Sequence, residues 1–140
     1  MRKVTMSSIL LLILGNIALA QEPVLEGNHT KRATDSFNEL SDISRNISGV
    51  LENAMRKNDA ERVQCIKARQ TSISALVDIS KQAKSNVGNS LSANNMLKAD
   101  SELRKITVAL SKAKQFASEV ESCLASQVSA TDGSEKTKID

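Results

Sequence analysis

Cys65 and Cys123 lie at equal distances along the chain from one residue, Asn94. The dipeptide Asn94-Asn95 separates two long stretches in which apolar residues recur at intervals of three and four, which is the spacing of amphipathic helices. If the chain reverses at this dipeptide, the two cysteines meet at one end of a helical hairpin. The pattern therefore predicts an all-α fold with a disulfide between Cys65 and Cys123.

Three stretches of the chain have this helical spacing. The first runs from about His29 to about Lys57, and the second follows Asn58, which forms a capping-box pattern with Glu61. The third has the most regular stripe, which alternates steps of three and four as in a bundle seam: Leu103, Ile106, Leu110, Ala113, Ala117, Val120 and Leu124. Short connections force antiparallel neighbours, so residues 29–128 are predicted to form an up-down-up three-helix bundle with coiled-coil-like packing.

The first twenty residues have the pattern of a cleavable secretory signal. Arg2 and Lys3 precede an apolar run at 9–14, and Ala18-Leu19-Ala20 is a small-x-small cleavage site. No later uncharged stretch approaches the roughly 20 residues that a spanning helix needs, so no membrane insertion is expected after cleavage. The sequence thus predicts export of a chain that begins at Gln21.

Two further segments lack any apolar period. Residues 21–28 contain the only proline and an early glycine, and we expect them to form a flexible leader. Residues 129–140 are polar and unpatterned, which predicts a disordered tail. Asn28 and Asn46 match the glycosylation acceptor pattern, which matters only in a eukaryotic secretory pathway.

The charge and aromatic content argue against nucleic acid as a partner. Two of the 19 basic residues lie in the signal, which leaves 17 against 16 acidic residues and a net charge of +1. The charges of the helices alternate in sign, as on a solvated face. Phe37 and Phe116 are the only aromatic residues, whereas binding to single strands needs several aromatics beside a basic groove.

Two alternatives to a structural disulfide exist for the cysteines, a redox couple and a zinc site. A redox couple usually has Cys-x-x-Cys spacing, which is absent here. A zinc site needs four ligands, and the chain offers two cysteines and His29. A structural disulfide in an oxidising compartment is the favoured interpretation, with free or reactive thiols as the alternative.

The sequence also lacks the residue sets that most catalysis requires. His29 is the only histidine and falls in the expected fraying start of helix one, so it is poorly placed for a Ser-His or Cys-His dyad. The carboxylates are spread over polar faces. There is no Cys-x-x-Cys-His motif for haem, and Met55 and Met96 lack the inward placement of axial ligands. We expect a non-catalytic protein without cofactor or metal.

The segments around the cysteines resemble a loose group of small exported bacterial helical proteins. An Asp precedes a Cys-Ile pair and a basic residue, and an acidic residue precedes a Cys at the end of the last helix: residues 57–69, 73–76 and 119–124. The resemblance covers about residues 40–125. It implies a periplasmic location and the bridge between Cys65 and Cys123, and it implies no activity.

These observations lead to one favoured function and two alternatives. We expect a structural or interaction module of the bacterial periplasm or envelope, or of the extracellular medium, that presents a rigid helical face to a protein or envelope partner. The Ser- and Asn-rich second helix is a candidate for that face. A periplasmic holding chaperone is one alternative, although it would need exposed apolar surface. A small inhibitor or immunity-type protein that acts by occlusion is the other.

Overall fold

The computed structural model describes residues 22–125, with side chains from residue 27 onward. This part of the chain consists of three long helices and contains no strand: α1 (Glu22–Arg56), α2 (Ala60–Ser92) and α3 (Met96–Ala125). Each helix packs against both of the others. The predicted all-α, three-helix architecture is therefore confirmed. The predicted signal at 1–20 and tail at 129–140 lie outside the described residues.

The first helix begins earlier than the sequence pattern predicts. It starts at Glu22 rather than His29 and so includes most of the segment expected to be a leader. Pro23 lies in the first turn, where its missing N–H would have no helical acceptor in any case. Gly27 destabilises the helix by only about 1 kcal/mol relative to alanine, and a long helix tolerates a cost of this size. The segment expected to be a leader is therefore helical over residues 22–28.

The turn between α1 and α2 is built by two adjacent polar residues. Asn58 has a left-handed backbone with φ 53° and ends α1. Its N–H donates to the Met55 carbonyl at 3.0 Å, and the next N–H donates to the Ala54 carbonyl at 3.3 Å, which is the Schellman pattern. Asp59 then caps α2, since its carboxylate accepts from the Arg62 N–H at 3.1 Å. The predicted cap at Asn58 was one residue too early, because Asn58 closes the preceding helix.

The turn between α2 and α3 repeats this arrangement. Asn94 also has φ 53°, and its N–H donates to the Leu91 carbonyl at 2.9 Å. The N–H of Asn95 donates to the Ser90 carbonyl at 2.8 Å, and its side chain accepts from the Lys98 N–H at 3.0 Å. The predicted reversal at Asn94-Asn95 is thus confirmed, and each residue of the pair has a separate role.

Contacts between side chains establish the relative direction of the helices. Three pairs join α2 to α3 and are all centred on position 94: Cys65 with Cys123, Arg69 with Glu119, and Asn86 with Glu102. Two pairs join α1 to α3 in ascending order along both helices: His29 with Asp100, and Glu39 with Lys114. The helices α2 and α3 are therefore antiparallel, while α1 and α3 are parallel, which is the predicted up-down-up order.

The core divides into two clusters along the bundle. The disulfide cluster lies where α1 ends and α2 begins: Leu40, Ile47, Ala54, Ile66, Ile73, Ala109, Leu110, Ala113, Val120 and Cys123. The far cluster lies toward the turn between α2 and α3: Ala33, Ala83, Val87, Leu91, Ala99, Leu103 and Ile106. We call the corresponding ends of the bundle the disulfide end and the far end.

Three polar residues interrupt the apolar stripe of α2, and the structure gives each a different environment. Arg62 donates from Nη2 to the Leu124 carbonyl at 3.2 Å and thereby ties α2 to the end of α3. Arg69 pairs with Glu119 through Nε at 2.6 Å. Ser80 is fully buried, and its hydroxyl has no hydrogen-bond partner among the described residues. Arg62 and Arg69 therefore tie α2 to α3, whereas the Ser80 hydroxyl is a buried polar group without a hydrogen bond to the described residues.

Candidate interaction surface

The two cysteines predicted to pair form a disulfide in the structure. Their Cα atoms are 6.1 Å apart across a sequence separation of 58 residues. Cys123 is buried in the disulfide cluster and Cys65 packs against that cluster, half-buried. Packing of both cysteines against the apolar core fits a structural staple, and the burial of Cys123 is unlike the partial exposure of redox-active cysteines.

The sequence suggested that His29 lies in the fraying start of helix one, whereas the structure places it within α1 and in contact with α3. Its Nε2 is 2.7 Å from Oδ1 of Asp100, and only 12% of its side chain is exposed. The contact joins the beginning of α1 to the beginning of α3. It is therefore one of the ties that hold the far end together.

Glu102 is the one carboxylate among the buried residues of the described chain. Its Oε1 accepts from Lys105 Nζ at 2.7 Å, and its Oε2 accepts from the Asn86 amide at 3.4 Å. The hydrogen bond from Lys105 outweighs the cost of burial and, with the help of Asn86, lowers the pKa of Glu102 below its ordinary value of 4.5. Glu102 is thus held as a carboxylate and links α2 to α3, rather than serving as a proton donor near neutral pH.

A groove of about 420 Å³ lies between α2 and α3. Leu76 and Ile79 line it from α2, while Val108 and Ala109 line it from α3. Ile79 is 53% exposed and Val108 is 62% exposed. Neither side chain belongs to the two core clusters, so both offer apolar area to a partner. The internal packing of the bundle therefore leaves apolar area exposed in this groove.

The rim of this groove is basic. Arg104, Lys105 and Lys112 line it together with Ser101, and no lining residue is a carboxylate. Lys105 is paired with Glu102, whereas Lys112 donates to the Gln115 side chain at 3.3 Å. Among the described residues, Arg104 and Lys112 have no acidic partner within salt-bridge distance. The groove thus combines an apolar floor with two cations, Arg104 and Lys112, that no acidic side chain of the described residues neutralises.

Sequence reasoning did not find this groove. It placed the candidate face on the Ser- and Asn-rich second helix, whereas the groove lies where α2 and α3 meet. Val108 lies between the seam residues Ile106 and Leu110, and its outward direction could have been predicted from the 3.6-residue period of the helix. The direction of Ile79 toward the same groove could not have been predicted in this way, because it depends on how α2 is rotated against α3.

Neither a metal centre nor a membrane span was found in the described part of the chain. Within residues 22–125, no group of three or more His, Cys, Asp or Glu side chains is placed to hold a metal ion. No helix in this range combines the length and apolar character needed to cross a membrane. Comparison with known proteins gives no match to a family model, to a curated protein or to a solved structure.

Proposed function

We propose that this chain is a non-catalytic exported protein of the bacterial periplasm that acts by binding a partner protein through the groove between α2 and α3. The observation that carries the proposal is the exposure of Ile79 and Val108 on two helices that a disulfide joins. Full burial of a Val or Ile side chain contributes about 1.5 to 3 kcal/mol, so this pair can anchor a partner.

Two features support an exported location. Residues 1–20 have the charge, apolar run and small residues of a secretory signal. The disulfide is the second, because such bonds persist in oxidising compartments such as the periplasm. The resemblance of residues 40–125 to small exported bacterial proteins agrees with both.

The location is tested by fractionating the native host and determining the N-terminus of the protein by mass spectrometry. We expect a periplasmic protein that begins at Gln21 and has both thiols oxidised. Recovery from the cytoplasm with residues 1–20 still attached would contradict export.

The binding role is tested by photo-crosslinking in the native envelope. A photoreactive residue at position 108 should give one reproducible adduct, because that position lies in the groove. The same residue at position 97 is the matched control, since Leu97 is 84% exposed on the same helix and outside the groove. Absence of any adduct at 108, or the same adducts from both positions, would contradict the role. Many adducts of different size from 108 would instead favour a holding chaperone.

A further inference from the structure

The position of the groove shows what shape of ligand it can take. All of its lining residues belong to α2 or α3, so α1 leaves this side of the helix pair uncovered. A fourth helix occupies such a position in a four-helix bundle. Along α3 the lining extends from Ser101 to Lys112, which is about 17 Å or three helical turns at 1.5 Å per residue. Building on the proposed function, we infer that the groove docks an acidic amphipathic helix of a partner protein.

The positive charge of the rim favours a partner helix of negative charge. Arg104, Lys105 and Lys112 all line the groove from α3, and the lining contains no carboxylate. Acidic side chains that flank an apolar stripe would meet these cations while the stripe covers Ile79 and Val108. Such complementarity increases the association rate and excludes basic partners.

A second copy of the chain fits this groove poorly. A two-fold symmetric dimer would place the same surface on both sides of the interface. The three cations of one groove would then share one interface with those of the other. Like charges that face each other across an interface disfavour that pairing.

The C-terminal segment of the chain is also a poor match for the groove. Residues 126–140 carry three carboxylates and two lysines and show no apolar stripe. An occupant needs an apolar stripe for the floor and an excess of negative charge for the rim. The segment has no stripe and only a small excess, so the groove fits a separate acidic chain better.

The proposal is tested with synthetic helices and the oxidised mature protein. One peptide of about 18 residues carries a leucine stripe at helical spacing with glutamates beside it, and it is stapled because short isolated helices are marginal in water. A matched peptide has lysines in place of the glutamates. We expect the glutamate peptide to bind at least about tenfold more tightly than the lysine peptide, measured by fluorescence anisotropy, since each of several rim contacts contributes a few-fold.

Variants of the protein locate the binding site. Val108→Glu should weaken the glutamate peptide about tenfold or more, because it places a charge at the centre of the contact. Leu97→Glu is the matched control and should leave binding unchanged, since Leu97 lies outside the groove. Arg104→Glu combined with Lys112→Glu should reverse the preference toward the lysine peptide. These positions are exposed, so the variants are expected to fold, and circular dichroism verifies that they do.

Each outcome supports or overturns the inference. Equal binding of both peptides, no binding of the glutamate peptide, or an equal effect of Val108→Glu and Leu97→Glu would overturn it. The groove would be assigned to a membrane surface instead if three results hold together. The protein co-sediments with vesicles of anionic phospholipid, Val108→Glu abolishes this co-sedimentation, and the glutamate peptide does not bind. If position 108 crosslinks to a partner in the envelope but the peptides do not bind, the binding role survives and the acidic helix does not.

Discussion

The two ends of the bundle use the same turn and differ in almost everything else. At the disulfide end, Asn58 and Asp59 close one helix and open the next. Asn94 and Asn95 do the same at the far end, with the same backbone φ of 53°. A turn of this kind, with a left-handed residue followed by a capping residue, therefore serves both reversals. The stability of each end must then come from its packing and cross-links.

The disulfide end is held by large aliphatic side chains and a covalent bond. Leu40, Ile66 and Ile73 are fully buried there, and the disulfide joins α2 to α3 beside them. The far cluster is smaller, since it has seven buried members against ten in the disulfide cluster and each cluster includes three alanines. The buried polar residues Ser80, Ser90 and Glu102 lie in the same half of α2 and α3 as the far cluster. We infer that the far end is the less stable of the two, and that its polar ties give it its specific arrangement.

Among the changes that test the difference between the two ends, removal of the disulfide should have the largest effect on the free energy of unfolding. The variant with Cys65→Ala and Cys123→Ala loses a cross-link that closes a loop of 58 residues. Its free energy of unfolding should fall by up to roughly 4 kcal/mol because the unfolded chain regains loop entropy. Urea denaturation with and without reductant measures this, and the reduced wild type should approach the variant. A loss below about 1 kcal/mol would show that the bond adds little to an already stable end.

Substitution of the turn asparagines tests whether the two turns are equivalent. Asn58→Ala and Asn94→Ala should each cost about 1 to 2 kcal/mol, because an alanine with positive φ suffers a steric clash. Asn58→Gly and Asn94→Gly are the controls and should remain close to wild type, since glycine adopts that conformation freely. Thermal and urea unfolding of the four variants gives the result. If alanine is tolerated as well as glycine at one turn, the two turns differ in backbone conformation.

Ser80→Ala should stabilise the protein. The Ser80 hydroxyl is buried without a hydrogen-bond partner among the described residues, and such a group costs about 1 to 3 kcal/mol. We expect a gain of about 1 kcal/mol in the free energy of unfolding after the core adjusts. Ser85→Ala is the control, because Ser85 is exposed on the same helix and reports only the difference in helix propensity. An equal gain from both variants would mean that the hydroxyl of Ser80 is satisfied in solution.

Glu102 should contribute a small part of the pH dependence of stability at the far end. Because its pKa is lowered in the folded state, the stability that it supplies is present above its ordinary value of 4.5 and is lost as the pH falls through the lower folded value. The effect should stay below about 1 kcal/mol, since Lys105 is half exposed. Glu102→Gln should flatten the loss of stability on acidification, and Lys105→Gln should do so as well. A wild-type acid profile in both variants would contradict this assignment.

Much of the fold could be predicted because it depends on local spacing. The steps of three and four around Leu110 and Ile73 define which side of each helix is apolar, and the position of Cys65 and Cys123 about Asn94 defines where the chain reverses. The cap at Asp59 was misplaced by one residue because Asn and Asp both suit either role, and only the backbone shows which residue is left-handed.

The candidate site was largely beyond sequence reasoning. The contact between His29 and Asp100 spans 71 positions and depends on how far α1 extends before it meets α3. Likewise, the groove requires that Ile79 and Val108 face the same side, which depends on how two helices are rotated against each other. Helical period alone places a residue on its own helix, whereas a surface shared by two helices is a property of their packing.

Native-state hydrogen exchange compares the two ends most directly, because it reports the stability of each segment separately. In the oxidised protein, amides of residues 83–91 and 99–103 should exchange faster than those of residues 66–73 and 113–120. Reduction of the disulfide should then remove protection mainly from the latter pair. Equal protection at both ends, or faster exchange beside the intact disulfide, would contradict the difference in stability proposed here.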